Sequence, residues 1–87
     1  MYAITAETKF PFENRITARI AAVDRKTNRP TWVTYPTEAI VYFTSVSDAE
    51  AWFRDAIRDK SFRDRLNSNP MVVEVTYTPV QNLEELL

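Results

Sequence analysis

Not one glycine occurs in the 87 residues of this chain, and that constrains its backbone more than any motif it carries. Glycine enters left-handed φ without steric penalty, so tight turns here must rely on asparagine or aspartate. Asn14 and Asn28 stand where turns are expected and are the natural occupants of such positions. A glycine-free chain also cannot build the phosphate-cradling loops of P-loop or dinucleotide-binding proteins. Histidine and cysteine are missing too. Their absence removes the commonest general base, the thiol nucleophile, zinc–thiolate sites and disulfides. The expectation is a protein that is not an enzyme, acts by binding, and carries neither cofactor nor metal.

A chain of this length is expected to form a single domain, 1–87, near the lower size limit for independent folding. Apolar residues make up 45% and aromatics 13%, which supplies a core and argues against disorder. The net charge of −1 suits neither a strong nucleic-acid binder nor an acidic nucleic-acid mimic. No apolar run is long enough to span a membrane, and the opening MYAITAETKF lacks the basic start and apolar stretch of a signal peptide. A cytoplasmic location is therefore expected.

The first half of the chain alternates. Tyr2, Ile4, Ala6, Thr8 and Phe10 share one phase of a period-2 pattern. Ile16, Ala18, Ile20 and Ala22 share one phase of a second, with Arg15, Thr17 and Arg19 opposite. Half-buried antiparallel strands read this way. Turns are expected at residues 10–14 and 24–28, a short third strand at 31–35 stopped by Pro36, and a central strand in the denser run 38–44. Ser47-Asp48-Ala49-Glu50 is a capping box, with Ser47 as N-cap. Behind it, Ala49, Trp52, Phe53, Ala56 and Ile57 lie on one helical stripe. The expected helix runs from Asp48 to about Asp59, followed by a shorter one near 62–67, a loop at 67–70 and a last strand at 71–78 ended by Pro79. A single helical turn from Asn82 closes the chain.

The economical assembly is α+β: a single antiparallel sheet of four or five strands packed on one amphipathic helix, in the order βββ(β)αβ. The sheet side of the core is expected to hold Ile4, Ile16, Ile20, Ile40, Tyr42, Val73 and Val75. The Ile40 run is apolar on both sides, which leaves its phase open.

The candidate binding residues are Arg15, Arg19, Arg25, Lys26, Arg29, Trp32 and Tyr35. Arginine outnumbers lysine eight to three in this chain, and arginine favours planar, interfacial contacts. Arginines interleaved with aromatics can form a protein hot spot or hold phosphates and stack bases. The same residues also suit a solvated, charged sheet face that blunts edge pairing. Arg19 and Arg29 are expected to be exposed; an exposed Trp32 beside them would be an anchor for a partner, and burial at the sheet edge is the other reading of Trp32. The acids Glu7, Glu13, Glu38 and Glu74 are scattered, with no catalytic pair. Glu50–Arg54 and Asp59–Arg63 are spaced as i, i+4 ion pairs on a helix surface.

The stretch Phe43-Thr44-Ser45-Val46-Ser47-Asp48-Ala49-Glu50-Ala51-Trp52-Phe53 resembles part of small proteins encoded by phages and mobile elements, including some anti-CRISPR inhibitors. In those, an antiparallel sheet is followed by a helix with a Ser/Thr cap, small and acidic residues and a Trp-Phe-like pair. That resemblance implies an inhibitor that occupies a surface of a host protein. The leading expectation is thus a protein-binding module, of the phage-inhibitor kind, whose partner carries an acidic patch. The alternatives are a nucleic-acid-binding protein using the same basic hairpin and a small homo-oligomeric structural protein, of which a homodimer is the simplest case.

Overall fold

The computed structural model describes residues 1–35, 39–75 and 79–87. In chain order it contains β1 (Tyr2–Thr8), β2 (Thr17–Val23), β3 (Pro30–Val33), α1 (Val46–Ala56), α2 (Lys60–Arg65), β4 (Leu66–Glu74), β5 (Pro79–Asn82) and a 3₁₀ turn at Glu84–Leu86. The strands form one antiparallel sheet in the order β3-β2-β1-β4-β5. The fold is α+β, as the alternating first half and the amphipathic segment imply. Pro36, Glu38 and residues 76–78, where parts of the third, central and last strands were expected, lie outside the described residues.

Two asparagines take the left-handed positions that glycine would otherwise fill. Asn28 (φ 57°) closes the β2–β3 turn, as expected, but the second is Asn69 (φ 53°) and not Asn14. Asn69 lies inside β4, where the β1 pairing slips between Thr5↔Met71 and Glu7↔Ser68. A bulge there lets residues 67–70 join the strand, although their composition reads as a loop. Pro79 opens β5 instead of closing the previous strand. At the start of an edge strand, proline has no ladder N–H to lose.

The run expected as a full central strand is central, but its described residues make only two bridges, Ala22↔Ile40 and Tyr2↔Phe43. The hydrogen bonds show where it sits. Val23 donates to the Ala39 carbonyl and Val41 to that of Ala21, while Tyr2 and Phe43 exchange both of theirs. The Ala21, Val23 and Tyr2 groups involved point from β2 and β1 toward each other, because alternate residues pair to opposite sides. Residues 39–43 therefore fill the gap where β1 and β2 diverge. They run antiparallel to both strands, which are antiparallel to each other, so the chain must bend between Ile40 and Phe43.

Register decides which residues meet the helix. Thr5 pairs with Ile20 and Ala6 with Arg19, so Ile20 shares a face with Ala3, not with Ile4. The helix side holds Ile4, Ala6, Ala21, Trp32, Phe43, Val72 and Leu83 with Ala49, Phe53, Ala56 and Phe62. Ile20, Ile40 and Val73 form a second cluster with Ala3 instead. The expected core members Ile16, Tyr42 and Val75 are exposed. A one-residue change of phase moves a whole apolar set between faces, and both phases of β2 contain enough apolar residues to allow either.

Helix α1 begins two residues earlier than the capping box suggests. Ser45 is its N-cap and accepts from the Asp48 N–H at 3.0 Å, while Thr44 donates to the Asp48 carboxylate at 3.1 Å. The earlier start brings Val46 into the stripe that packs on the core, beside Ala49 and Phe53. Asp59 caps α2 by accepting from the Phe62 N–H. Its other oxygen pairs with Arg29 at 2.8 Å, not with Arg63. The Glu50–Arg54 pair forms at 4.0 Å, and Lys60–Asp64 at 3.0 Å takes the role expected of Asp59–Arg63.

Phe62 is the hub of the core. It stacks on Trp32 with ring centroids 4.4 Å apart and meets Trp52 and Phe53 edge-on. Its carbonyl also receives the Trp32 indole N–H at 3.0 Å. Phe62→Ala is expected to lower stability by about 3–5 kcal/mol in chemical denaturation. In the same assay Ser45→Ala should cost about 1 kcal/mol and Ser47→Ala only a few tenths, because only the former cap bond exists.

Candidate protein-contact site

The seven candidate residues do not form one patch. Strand β2 is about 20 Å long, with Arg15 before its start and Arg25, Lys26 and Arg29 beyond its end. Trp32 is 3% exposed and its indole N–H is used inside the core, so of its two readings, burial at the sheet edge holds and the exposed anchor does not. Its phase opposite Ile20 places it under α2, where the stack with Phe62 covers it.

Arg19 is also buried, at 8% exposure. Its phase on β2 points it to the helix side. There it donates to the Thr8 hydroxyl at 2.9 Å and makes a two-pronged contact with the Glu13 carboxylate. Thr8 in turn donates to the Thr17 carbonyl at 2.8 Å. Arg29 remains largely exposed but is paired with Asp59, which ties the β2–β3 turn to the start of α2. The expectation of exposure therefore holds for Arg29 and is corrected for Arg19, and each is opposite a carboxylate that a different segment supplies.

What the Arg19 pair holds is the β1–β2 connection, residues 9–16. The guanidinium of Arg19 lies over the Phe10 ring at 4.1 Å, and that of Arg65 over the same ring at 4.4 Å. The Glu13 carboxylate accepts from the Phe10 N–H as well as from Arg19, and the Glu13 backbone N–H donates to the Phe10 carbonyl at 3.0 Å. Phe12 meets Phe10 edge-on at 6.3 Å. The loop thus stands on a cation–aromatic and ion-pair base, with the side chains beyond it in solvent.

Besides Lys9, Asn14 and Arg15, the exposed side chains of this loop and of the segment after β3 include apolar ones. Phe12 is 83% exposed, Ile16 52% and Tyr35 74%. Arg15 and Thr34 share a depression of about 420 Å³ with Glu13, Thr17 and Arg19, and Tyr35 follows Thr34 directly. The end of the sheet where β2 begins and β3 ends therefore carries the exposed Phe12, Arg15, Ile16 and Tyr35 on the segments that meet there. Arg15 and Tyr35 belong to the sequence-derived set. Phe12 and Ile16 do not: Phe12 reads as part of a turn and Ile16 as core. The available signal was the Pro11-Phe12 pair before Glu13 and Asn14 in a turn, a place where a second aromatic ring has no core to enter.

Arg25, Lys26 and Asn28 lie in the exposed β2–β3 turn, where Asp24 receives the Lys26 and Thr27 N–H groups. Among the described residues no three carboxylates gather as a metal site, and no helix is long and apolar enough to cross a membrane. No family model, curated protein or solved structure matches the chain, so the functional reading rests on this geometry.

The Arg19 contact holds the Glu13 carboxyl below its ordinary pKa of 4.5, assisted by the Phe10 N–H and by nearby Arg15 and opposed by desolvation. A depressed carboxylate contributes stability that is complete above its unfolded pKa and is lost as pH falls through the lower folded value. Thermal melting of the wild type against Glu13→Gln should show the difference between them at neutral pH and should show it shrinking below about pH 4.5. Arg19→Glu should destabilise at neutral pH, since it sets two carboxylates together in a partly buried place.

Proposed function

We propose that this protein is a binding module for another protein, and that the contact element is the end of the sheet formed by Phe12, Arg15, Ile16 and Tyr35. The observation that carries the reading is the exposure of Phe12 on a loop fixed from beneath by the Arg19–Glu13 pair. An exposed aromatic on a mobile loop loses conformational freedom when it docks. A ring held in place loses little, and such rings dominate interface energetics. Arg15 beside them fits a partner whose apolar pocket is rimmed by carboxylates, the acidic patch expected from the sequence.

The narrower form is an inhibitor of the phage type, acting in the host cytoplasm by covering a surface of a host complex. It is supported by the resemblance of residues 43–53 to such proteins. A homo-oligomer through the sheet edges is disfavoured by their design. Both edge strands are four residues long and begin with proline, Pro30 and Pro79.

The test pairs partner capture with substitution at the contact end. Once wild-type protein identifies a partner, Phe12→Ala and Tyr35→Ala should each weaken the complex by about 2 kcal/mol with melting unchanged. Val80→Ala, at the opposite edge, should leave affinity as it is. Affinity that survives both aromatic substitutions, or a tight complex with nucleic acid whose affinity falls steeply with salt, would overturn the reading. A solution mass of twice 10.1 kDa without other partners would favour the homodimer.

A further inference from the structure

Beside the contact end, a groove of about 540 Å³ runs between the β1–β2 loop and α2, lined by Lys9, Phe10, Glu13, Ser61, Asp64 and Arg65 among others. We propose that this groove receives an extended acidic segment of the protein partner, with its carboxylates held by Arg65 and Lys9. The proposal rests on the protein-binding reading and adds the chemistry of what is bound.

The charge inventory of the groove carries the argument. Its two acids are neutralised from outside, Glu13 by Arg19 and Asp64 by Lys60 at 3.0 Å. Its two cations are not: among the described residues neither Lys9 nor Arg65 has a carboxylate partner. The unneutralised charge of the groove is therefore positive, on a chain whose net charge is −1. Arg65 is also oriented in advance. Its guanidinium is stacked on the Phe10 ring, and its backbone carbonyl accepts from the Lys9 N–H at 2.9 Å, which keeps the two cationic residues side by side. A stacked guanidinium still offers its N–H edge, and that edge matches a planar carboxylate in a bidentate contact.

The same inventory favours spaced carboxylates over a phosphate backbone. The groove wall also carries the carboxylate oxygens of Glu13 and Asp64, which repel an acidic unit set directly against them even though each has a cationic partner, so a strand with a charge on every unit fits less well. A segment that alternates acidic and neutral residues can set its carboxylates at Lys9 and Arg65 and leave neutral units beside the acids. The groove continues past Ser61 and Arg65 into a second depression containing Pro30, Thr31 and the Arg29–Asp59 pair, which gives an extended segment room along α2.

The experiment titrates the isotope-labelled full chain with an N-acetylated, C-amidated octapeptide alternating Glu and Ala. A Gln-Ala peptide and an octathymidylate serve as comparisons. The Glu-Ala peptide should shift the Ser61 amide and the Arg65 side-chain resonances saturably, and the Gln-Ala peptide should not. Arg65→Gln and, separately, Lys9→Gln should weaken the peptide by about ten-fold, whereas Arg63→Gln on the same helix should not. Because Lys9 is exposed, Lys9→Gln keeps the test decisive if Arg65→Gln unfolds. The absence of saturable shifts at about 1 mM peptide, equal losses at Arg63 and Arg65, or tighter binding of octathymidylate would each overturn the proposal. Val80→Ala, on the far edge strand, should leave the peptide affinity unchanged, since Val80 does not line the groove. Partner binding that depends on Phe12 while the peptide does not bind would thus remove the groove and leave the protein-binding reading standing.

Discussion

Phe62 joins the parts of this protein that sequence distance keeps apart. Its ring stacks on Trp32 of β3 and meets two aromatics of α1, and its carbonyl takes the Trp32 indole N–H. A short helix of six residues has little stability of its own. Helix α2 holds because that one side chain is buried among three others and because Asp59 closes both its first turn and the Arg29 contact. The Asp59 carboxyl is kept below its ordinary pKa first by the Phe62 N–H and then by Arg29, against the desolvation that opposes it. The hub and the cap therefore fix the same helix at its middle and its start.

With α2 in place, Arg65 at its end reaches the Phe10 ring, and the base of the β1–β2 loop is completed. Arg19 approaches the same ring from the sheet. Here the core and the candidate surface are mechanically continuous: Trp32 to Phe62, along α2 to Arg65, and from Arg65 to Phe10. The loop carries exposed apolar groups and yet is anchored at its foot. This combination separates it from the β2–β3 turn, which holds more positive charge and is tied by Asp24, a left-handed asparagine and the Arg29–Asp59 pair, but carries no apolar side chain at residues 24–29. The most basic segment of the sequence is thus not the segment with the best-built contact surface.

Buried arginine explains much of the difference between what the composition suggests and what the molecule presents. A guanidinium in a polar–apolar alternation reads as the solvent side of a strand. Arg19 holds that phase correctly, opposite Ile20, but its side of the sheet is the one the helices cover. It is tolerated there because Glu13, Thr8 and Phe10 together meet its charge, its hydrogen bonds and its flat faces. None of the three is near it in sequence in the way an i, i+4 partner on a helix would be. Their convergence depends on the loop folding back.

The local order is already legible in the amino-acid string: alternating strands, the amphipathic stripe of α1, asparagine at the glycine-like Asn28 turn, and the α+β class that follows from them. These are properties of neighbouring residues, set by periodicity and by φ preference. Which face of the sheet lies inside is a matter of long-range packing. That choice is made by the Thr5↔Ile20 register and by residues 39–43 filling the gap between β1 and β2. It sent Trp32 and Arg19 inward, left Ile16 in solvent, and started α1 at Ser45 so that Val46 could pack. In a sheet apolar on both sides, hydrophobicity alone is degenerate between the two phases. Long-range pairing and the fit of the aromatic hub remove the degeneracy, and neither is written in any short stretch of the chain.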